Sequence, residues 1–260
     1  MIRICDLSKV FNPGDGNQRT ALKSVNLTIS QGEWCSLLGH NGSGKSTLLR
    51  IIAGEEQPTA GDLIVNGRSV LKDSAAERAS TFLFVEQDTR GNLVPSMTIE
   101  ENLTLATCRS KFPGLTPARR RPRRVQIIDA LERLAMGLER RLDVQVRTLS
   151  GGERQAVVIA KALLAATPVL LLDEFLGAMD PKGGPLLLKI VRDLARTERL
   201  TVLSVTHNLE HVMAGRTPED RVVMLRRGEI IAETEMAEIR DTEQLIEWYE
   251  KDAVRGWSTL

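Results

Sequence analysis

A glycine-rich segment carries the strongest chemical signal in the sequence. It reads Gly39-His40-Asn41-Gly42-Ser43-Gly44-Lys45-Ser46-Thr47 and satisfies the pattern GxxxxGK[ST] between a predicted strand and a predicted helix. Glycine permits backbone conformations that side chains forbid, so successive N–H groups and the helix N-terminus can face phosphate oxygens. Lys45 would reach the β- and γ-phosphates, and the Ser46 hydroxyl would bind Mg²⁺. The segment predicts a nucleoside triphosphate site rather than an ordinary glycine-rich turn.

Two carboxylates end a predicted buried strand in the second half of the chain. The strand is apolar from Val169 to Leu172 and is followed by Asp173 and Glu174. Ligands bind at the carboxyl edge of an open parallel sheet, so both side chains would face the phosphate site. Asp173 could hold Mg²⁺ directly or through water, and Glu174 could act as the general base toward an attacking water. Taken alone, the pair could be acidic residues that merely end a strand.

A second glycine pair opens a predicted helix. It lies in Ser150-Gly151-Gly152-Glu153, where Ser150 is a natural N-cap and the glycines allow close backbone approach to an anion. Alone, this segment would indicate only a capped helix. Together with the other two motifs, it resembles the signature of the ATP-binding-cassette (ABC) ATPases, and the resemblance extends over nearly the whole chain.

The resemblance implies roles for four further residues. Gln87 matches the glutamine that contacts Mg²⁺ and the attacking water, and His207 matches the histidine that contacts the γ-phosphate. Phe11 stands where an aromatic ring stacks on adenine, and core packing is its alternative role. Asp180 matches the aspartate of the D-loop, although Gly177-Ala178-Met179-Asp180 replaces the usual Ser-Ala-Leu-Asp. His207 and His211 have helical spacing that could suit a metal pair, but no third ligand is evident and we reject that alternative.

Hydrophobic patterns predict the elements that would position these residues. The predicted strands are 2–5, 24–29, 34–38, 61–65, 69–71, 81–85, 169–172, 201–205, 221–225 and 229–232. The predicted helices are 45–53, 153–166, 186–196 and about 242–251, with a mostly helical stretch from Thr98 to about Leu142. That stretch is interrupted at 112–122 and contains a periodic set, Val125, Ile128, Leu131 and Leu134. Leu245, Trp248 and Tyr249 are expected to pack one face of the last helix on the core.

The pattern predicts an α/β fold. Strands that are apolar throughout indicate a parallel sheet covered on both faces. The resemblance implies a P-loop NTPase (RecA-like) core with an N-terminal antiparallel β layer and an inserted helical subdomain. We predict a single domain over 1–260, with the core in 1–90 and 155–240, the helical subdomain in about 91–154, and a C-terminal helix in 241–260.

Composition excludes several classes of protein. The chain has 260 residues, is 42% hydrophobic and 27% charged, and carries a formal net charge of +1, which indicates a globular protein without a global electrostatic case for nucleic-acid binding. The most apolar stretch, 156–172, contains Lys161 and Pro168, so no membrane span is predicted. The N-terminus lacks the pattern of a secretory signal. The basic run 119–124 could contact anionic lipid or nucleic acid, but a solvated loop is favoured.

The resemblance also implies partners and a location. In the family, the signature of one subunit completes the ATP site of another, so we expect a homodimer or a heterodimer with a homologous subunit. We predict a cytoplasmic protein, peripheral on the inner face of the membrane, that drives transmembrane permease subunits with a substrate-binding protein. The segments 95–103 and 205–210 most resemble a bacterial subgroup of importers associated with tryptophan-like or other amino-acid substrate-binding proteins. The alternatives are an exporter ATPase, a soluble ABC ATPase of iron–sulfur cluster assembly, and an ABC protein of DNA repair or translation.

Overall fold

Ten strands form two β-sheets within the residues that the structure describes. The computed structural model describes residues 1–14, 16–106, 124–177, 179 and 183–254. The strands are β1 (Ile2–Phe11), β2 (Arg19–Ile29), β3 (Trp34–Leu38), β4 (Ala60–Val65), β5 (Arg68–Ser69), β6 (Phe82–Val85), β7 (Val169–Asp173), β8 (Thr201–Thr206), β9 (Arg221–Arg226) and β10 (Glu229–Glu235). The first sheet has the order β2-β1-β4-β5, and its neighbouring strands are antiparallel. The second has the order β10-β9-β3-β8-β7-β6.

The second sheet is parallel except at one edge. The strands β9, β3, β8, β7 and β6 are parallel neighbours, and only β10 is added in antiparallel orientation, against β9. Every residue of β3 and β8 is buried, as expected of strands covered on both faces. The α/β fold with a parallel core sheet and an N-terminal antiparallel layer is therefore confirmed.

The described part of the chain contains eight α-helices. They are α1 (Lys45–Ala53), α2 (Ala75–Arg78), α3 (Ile99–Ala106), α4 (Arg124–Glu132), α5 (Gly151–Leu164), α6 (Gly183–Thr197), α7 (Leu209–Met213) and α8 (Thr242–Val254). Successive residues of a strand point to opposite faces of the sheet. Leu171 accordingly joins the apolar cluster that contains α1 and the antiparallel layer, whereas Leu170 and Leu172 join the cluster that contains α5 and α6. A third, smaller cluster joins Leu38 to α7 and α8 and contains the predicted Leu245.

The apolar stripe predicted for the helical stretch is partly wrong. Val125 is 73% exposed, whereas Ile127, Ala130 and Leu131 are buried. Ile127, Ala130, Leu131 and Leu134 follow the spacing i, i+3, i+4 and i+7, which matches one helical face better than the spacing of three used in the prediction. The predicted interruption at 112–122 and most of the basic run lie outside the described residues.

The bounds of several elements also differ from the predictions. Helix α5 begins at Gly151 rather than Glu153, because the N-cap at Ser150 allows the glycines to enter the first turn. Strand β5 is shorter than predicted and ends at Ser69, although the turn at Asn66 and Gly67 has the expected positive φ values of 49° and 83°. Helix α1 ends at Ala53 before Gly54, as predicted.

Candidate ATP site

The parallel sheet brings the predicted site residues to one edge. Leu38 is aligned with Thr206, Asp173 with Val205, and Val85 with Leu172. Because these strands run in the same direction, the segments that follow them leave the sheet at the same edge. The glycine-rich segment, Glu174, His207 and Gln87 therefore lie at the carboxyl edge of the sheet.

Gly44 has the backbone conformation that gives the loop its shape. It precedes α1 with φ 108° and ψ 0°, in the left-handed region. A Cβ atom at this position would lie 2.4 Å from the carbonyl oxygen of Ala21 and 2.9 Å from Leu22 Cδ2. Only glycine satisfies both conditions, since a side chain would be strained and would also clash with the backbone of β2. The antiparallel layer thus supports the loop from outside the core sheet.

Lys45 is held inside the loop. Its Nζ atom donates hydrogen bonds to the carbonyl oxygens of Gly39 at 2.7 Å and His40 at 3.1 Å. An ammonium group has three N–H donors, so a third remains for a phosphate oxygen. Burial lowers the pKa of Lys45, and the carboxylates of Glu174 and Asp173 oppose that shift. The charge of Lys45 therefore lies between the loop and the acidic strand end.

The loop also offers a buried hydroxyl group. Ser43 Oγ is buried, and no hydrogen-bond partner for it occurs among the described residues. A buried hydroxyl without a partner is costly, and a phosphate oxygen would accept its hydrogen bond. Ser43, Lys45 and the start of α1 therefore fit a bound phosphate chain.

Asp173 and Ser46 provide oxygen ligands side by side. A hydrogen bond from Ser46 lowers the pKa of Asp173, but burial is the larger effect and, with the nearby charge of Glu174, raises that pKa above the usual value. Mg²⁺ is a hard cation that binds carboxylate oxygen and retains several waters. A hydroxyl and a carboxylate next to the phosphate loop therefore fit Mg²⁺ with a nucleotide.

Glu174 and His207 form a second pair at the same edge. His207 Nδ1 lies 2.9 Å from Glu174 Oε1. Glu174 has φ 45°, an uncommon conformation for this residue, and its N–H donates to the carbonyl oxygen of Val205 at 3.0 Å. This backbone arrangement turns the carboxylate away from β7 and toward the residue that follows β8. The geometry brings together the predicted base and the predicted γ-phosphate contact.

Gln87 lines two separate openings, one of which contains Glu174 and the other Asp173. It lines a cavity of about 560 Å³ with Glu174 and His207, and a cleft of about 500 Å³ with Ser46 and Asp173. Its side chain also lies close to Gly177, where an added Cβ would be 2.7 Å from Gln87 Nε2. The position therefore suits the predicted contacts of Gln87 with Mg²⁺ and water.

The sequence analysis missed Gln155, which connects α5 to the segment carrying Gln87. Its side chain is buried, and Nε2 donates to the carbonyl oxygens of Glu86 at 3.1 Å and Gln87 at 3.4 Å. A long polar residue on the apolar face of a predicted helix was the available signal, because such a residue must find hydrogen-bond partners when buried.

The signature segment is a capped helix start, as predicted. Ser150 Oγ accepts a hydrogen bond from the Glu153 N–H, and Glu153 Oε2 accepts one from the Ser150 N–H, which forms a capping box. Arg141 pairs with the other oxygen of Glu153. Gly152 packs against Met179, whose Cε would lie 2.6 Å from an added Cβ. Gly151 lines the cleft that contains Ser46 and Asp173.

Phe11 lies at the end of β1, opposite Arg19 of β2. Lys9 Nζ is 4.7 Å from the centre of its ring, and Arg19 Nη2 would lie 3.6 Å from a Cβ added at Gly42. The antiparallel layer thus places Arg19 next to both Phe11 and the phosphate loop. The contact of Phe11 with adenine stays a prediction. Asp180 lies outside the described residues.

Comparison with known proteins agrees with the arrangement of the site. Residues 22–177 match the family model described as ABC transporter. The chain belongs to this family. It is 33% identical over 252 residues to a tyrosine transport ATP-binding protein of Clostridioides difficile, covering 96% of this chain and 99% of that relative. It is 39% identical over 241 residues to the macrolide export ATP-binding/permease protein MacB of Pectobacterium atrosepticum, covering 90% of this chain but 34% of that relative.

A solved structure extends the similarity to the fold. The dimeric post-hydrolysis state of the ATP-binding cassette MJ0796, bound to ADP and Pi, has a TM-score of 0.75 and 29% identity, and the match covers 91% of this chain and 99% of that one. The ABC cassette described here accordingly binds and hydrolyses ATP. Within the described part of the chain, no helix is both long enough and apolar enough to cross a membrane.

Proposed function

We propose that this ABC cassette is one of two ATPase subunits that bind a membrane permease and drive the import of an amino-acid-like solute. The observation that carries the proposal is the convergence of Lys45, the Ser46–Asp173 pair and the Glu174–His207 pair at one edge of the sheet. These groups match the needs of phosphoryl transfer to water, which are charge stabilisation, orientation and a proton acceptor.

Each group has a distinct task in the proposed reaction. Lys45 and the start of α1 stabilise the charge of the phosphates, and Ser46 and Asp173 hold Mg²⁺. When bound, Mg²⁺ neutralises part of the charge that develops on the phosphoryl oxygens. Glu174 accepts a proton from the attacking water, while His207 and Gln87 orient the water and the γ-phosphate.

Two cassettes are needed because one chain carries a single signature segment. In the proposed dimer, Ser150, Gly151, Gly152 and Glu153 of one subunit complete the phosphate site of the other. The phosphate charges are fully stabilised only when the subunits close around them, so ATP binding favours closure and hydrolysis reverses it. The solved relative MJ0796, which is dimeric with ADP and Pi, supports this proposal.

A variant that binds ATP without hydrolysing it tests the dimer. Glu174→Gln keeps the shape of the side chain but removes the proton acceptor, so with ATP and Mg²⁺ we expect a stable dimer by size exclusion with light scattering. Lys45→Ala/Glu174→Gln is the matched control and should stay monomeric because the phosphate contact is lost. A Glu174→Gln protein that is saturated with ATP and still monomeric would contradict the proposal.

The same variant tests the membrane partner. Glu174→Gln protein is purified from membranes of the cells that make it, and co-purifying proteins are identified by mass spectrometry. A multispanning permease together with a substrate-binding protein supports import, and an iron–sulfur scaffold in place of a permease overturns it. The similarity to the tyrosine transport protein over nearly its whole length favours an amino acid as the solute.

Export is the second candidate function. The identity of 39% to a macrolide exporter favours it, although that relative joins its cassette to a permease in one longer chain. Reconstitution with the identified permease separates the two directions, because labelled solute accumulates inside right-side-out vesicles for an importer and leaves them for an exporter.

A further inference from the structure

A buried arginine joins three elements that lead to the catalytic edge. Arg192 lies on α6 and is 2% exposed. Its Nη1 atom pairs with Asp220, and Nη2 donates to the carbonyl oxygen of Val212 at 3.1 Å. The guanidinium carbon lies 4.2 Å from the centre of the Trp34 ring, in cation–π contact. One side chain therefore contacts the start of β3, helix α7 and the segment before β9.

These elements are the ones that carry the reacting groups. Strand β3 begins at Trp34 and ends at the phosphate loop, and α7 begins two residues after His207. Helix α6 begins nine residues after Glu174. Arg192 is thus linked to His207 through one short helix, and it also lines the cavity that contains His207 and Glu174.

Burying the charged side chain of Arg192 costs more free energy than an apolar side chain in the same place would. Its Nε atom is buried, and no described residue accepts a hydrogen bond from it. Buried ion pairs can often be replaced by apolar residues of similar volume without loss of stability, because burial removes the hydration of both charges. The rigid fork of arginine instead suits two directional contacts at once, here to a carboxylate and to a main-chain carbonyl.

We propose that Arg192 is a positioning residue that holds α7 in the place where His207 contacts Glu174. The proposal rests on the catalytic roles proposed for His207 and Glu174. Helix α7 has only five residues, so its own hydrogen bonds give it little rigidity, and its placement depends on contacts with its neighbours. Asp220 is itself held in place. It accepts hydrogen bonds from the N–H of Thr217 at 3.2 Å and from the Thr217 hydroxyl at 2.7 Å.

The first test separates positioning from folding. Arg192→Met leaves the Asp220 charge buried without its partner and can unfold the protein, so the informative variant is Arg192→Met/Asp220→Asn, which removes both charges. Lys189→Met is the matched control, because Lys189 is an exposed cation on the same helix. We expect the double variant to fold and bind ATP with unchanged affinity, while kcat falls by about tenfold to a hundredfold, the effect of a misplaced catalytic group. A folded double variant with the kcat of the Lys189→Met protein would overturn the proposal.

A second test asks whether Arg192 acts through His207. If it does, Arg192→Met/Asp220→Asn loses no further activity when combined with His207→Ala, because the group that it positions is already absent. Multiplicative losses would show that Arg192 acts elsewhere and would refute the proposal. Arg192→Lys keeps the charge but not the forked guanidinium. We expect it to be more stable than Arg192→Met but to have the same low kcat as the double variant.

A third readout does not depend on ATP hydrolysis. The sequence contains only three histidines, so the imidazole signal of His207 can be resolved by ¹⁵N NMR after assignment with His40→Gln and His211→Gln. We expect the Arg192→Met/Asp220→Asn change to move this signal toward its value in Glu174→Ala protein, where the contact is lost. An unmoved signal would overturn the proposal for Arg192. Because this readout needs no ATPase activity, failure of that proposal can be distinguished from failure of the proposed function.

Discussion

Replacing Gln155 with methionine would loosen the segment that carries Gln87 with little effect on the fold. The change keeps the length and approximate volume of the side chain and removes the amide. The amide makes two hydrogen bonds, from Nε2 to the carbonyl oxygens of Glu86 and Gln87. Its Oε1 atom is buried, and no partner for it occurs among the described residues.

These contacts set the size of the expected effect. Two neutral hydrogen bonds contribute about 1–3 kcal/mol together, and the longer one, at 3.4 Å, belongs at the low end of that range. A buried acceptor without a partner costs about 1–3 kcal/mol, and methionine removes that cost. The two effects oppose each other, so we expect the free energy of unfolding to fall by no more than about 1 kcal/mol, equivalent to about 2–4 °C in Tm.

The catalytic effect should be larger than the effect on stability. Gln87 lines the cavity that contains Glu174 and the cleft that contains Asp173, and the hydrogen bond from Gln155 holds its main chain. If the misplaced Gln87 stabilises the transition state less by about 1.4 kcal/mol, the rate falls by about tenfold. We expect kcat for Mg-ATP to fall by about tenfold with little change in ATP affinity.

The assay combines steady-state ATPase kinetics with urea unfolding for three proteins. Gln155→Met is compared with Gln155→Glu, which should be worse in both measurements because a carboxylate would face two carbonyl oxygens. Gln57→Met is the control for replacing an exposed glutamine. A Gln155→Met protein with wild-type kcat would refute the proposed link to Gln87, and a loss of stability clearly above about 1 kcal/mol would refute the balance of hydrogen bonds.

Two further predictions follow from the phosphate loop and the metal site. Gly44→Ala should destabilise the protein by more than about 2 kcal/mol in urea unfolding and abolish ATP binding, because its Cβ meets the Ala21 carbonyl. Gly67 has φ 83° and open space around it, so Gly67→Ala should lose only about 1–2 kcal/mol from the strained backbone conformation. Equal losses in the two variants would contradict the clash. The raised pKa of Asp173 means that this carboxyl takes up a proton at a higher pH than an exposed aspartate, so Mg²⁺ affinity measured calorimetrically with a non-hydrolysable ATP analogue should weaken as the pH falls toward that raised pKa. Asp173→Asn should bind Mg²⁺ weakly with little pH dependence, and a wild-type affinity that is constant throughout the acid range would count against Asp173 as a ligand.

Local patterns in the sequence were sufficient for the motifs and most elements. The phosphate loop, the acidic end of β7 and the Ser150 cap are each determined by residues next to one another in the chain, where backbone freedom, strand hydrophobicity and capping act locally. The apolar strands likewise predict a parallel sheet covered on both faces, because their composition reflects burial. In the helical stretch, the spacing of Val125 and Ile128 alone does not show which face of α4 meets the core.

Only the tertiary structure decided which distant residues meet. The strand order β10-β9-β3-β8-β7-β6 brings His207 to Glu174, 33 residues away in the sequence, and Gln155 to Gln87, 68 residues away. Arg192, Trp34 and Asp220 have no motif in common, and they meet because the fold places α6 next to the start of β3 and the segment before β9. The sequence by itself determined the chemical groups for binding and hydrolysing ATP. Their distances and supporting contacts depend on long-range packing, because local backbone preferences carry no information about which strands become neighbours.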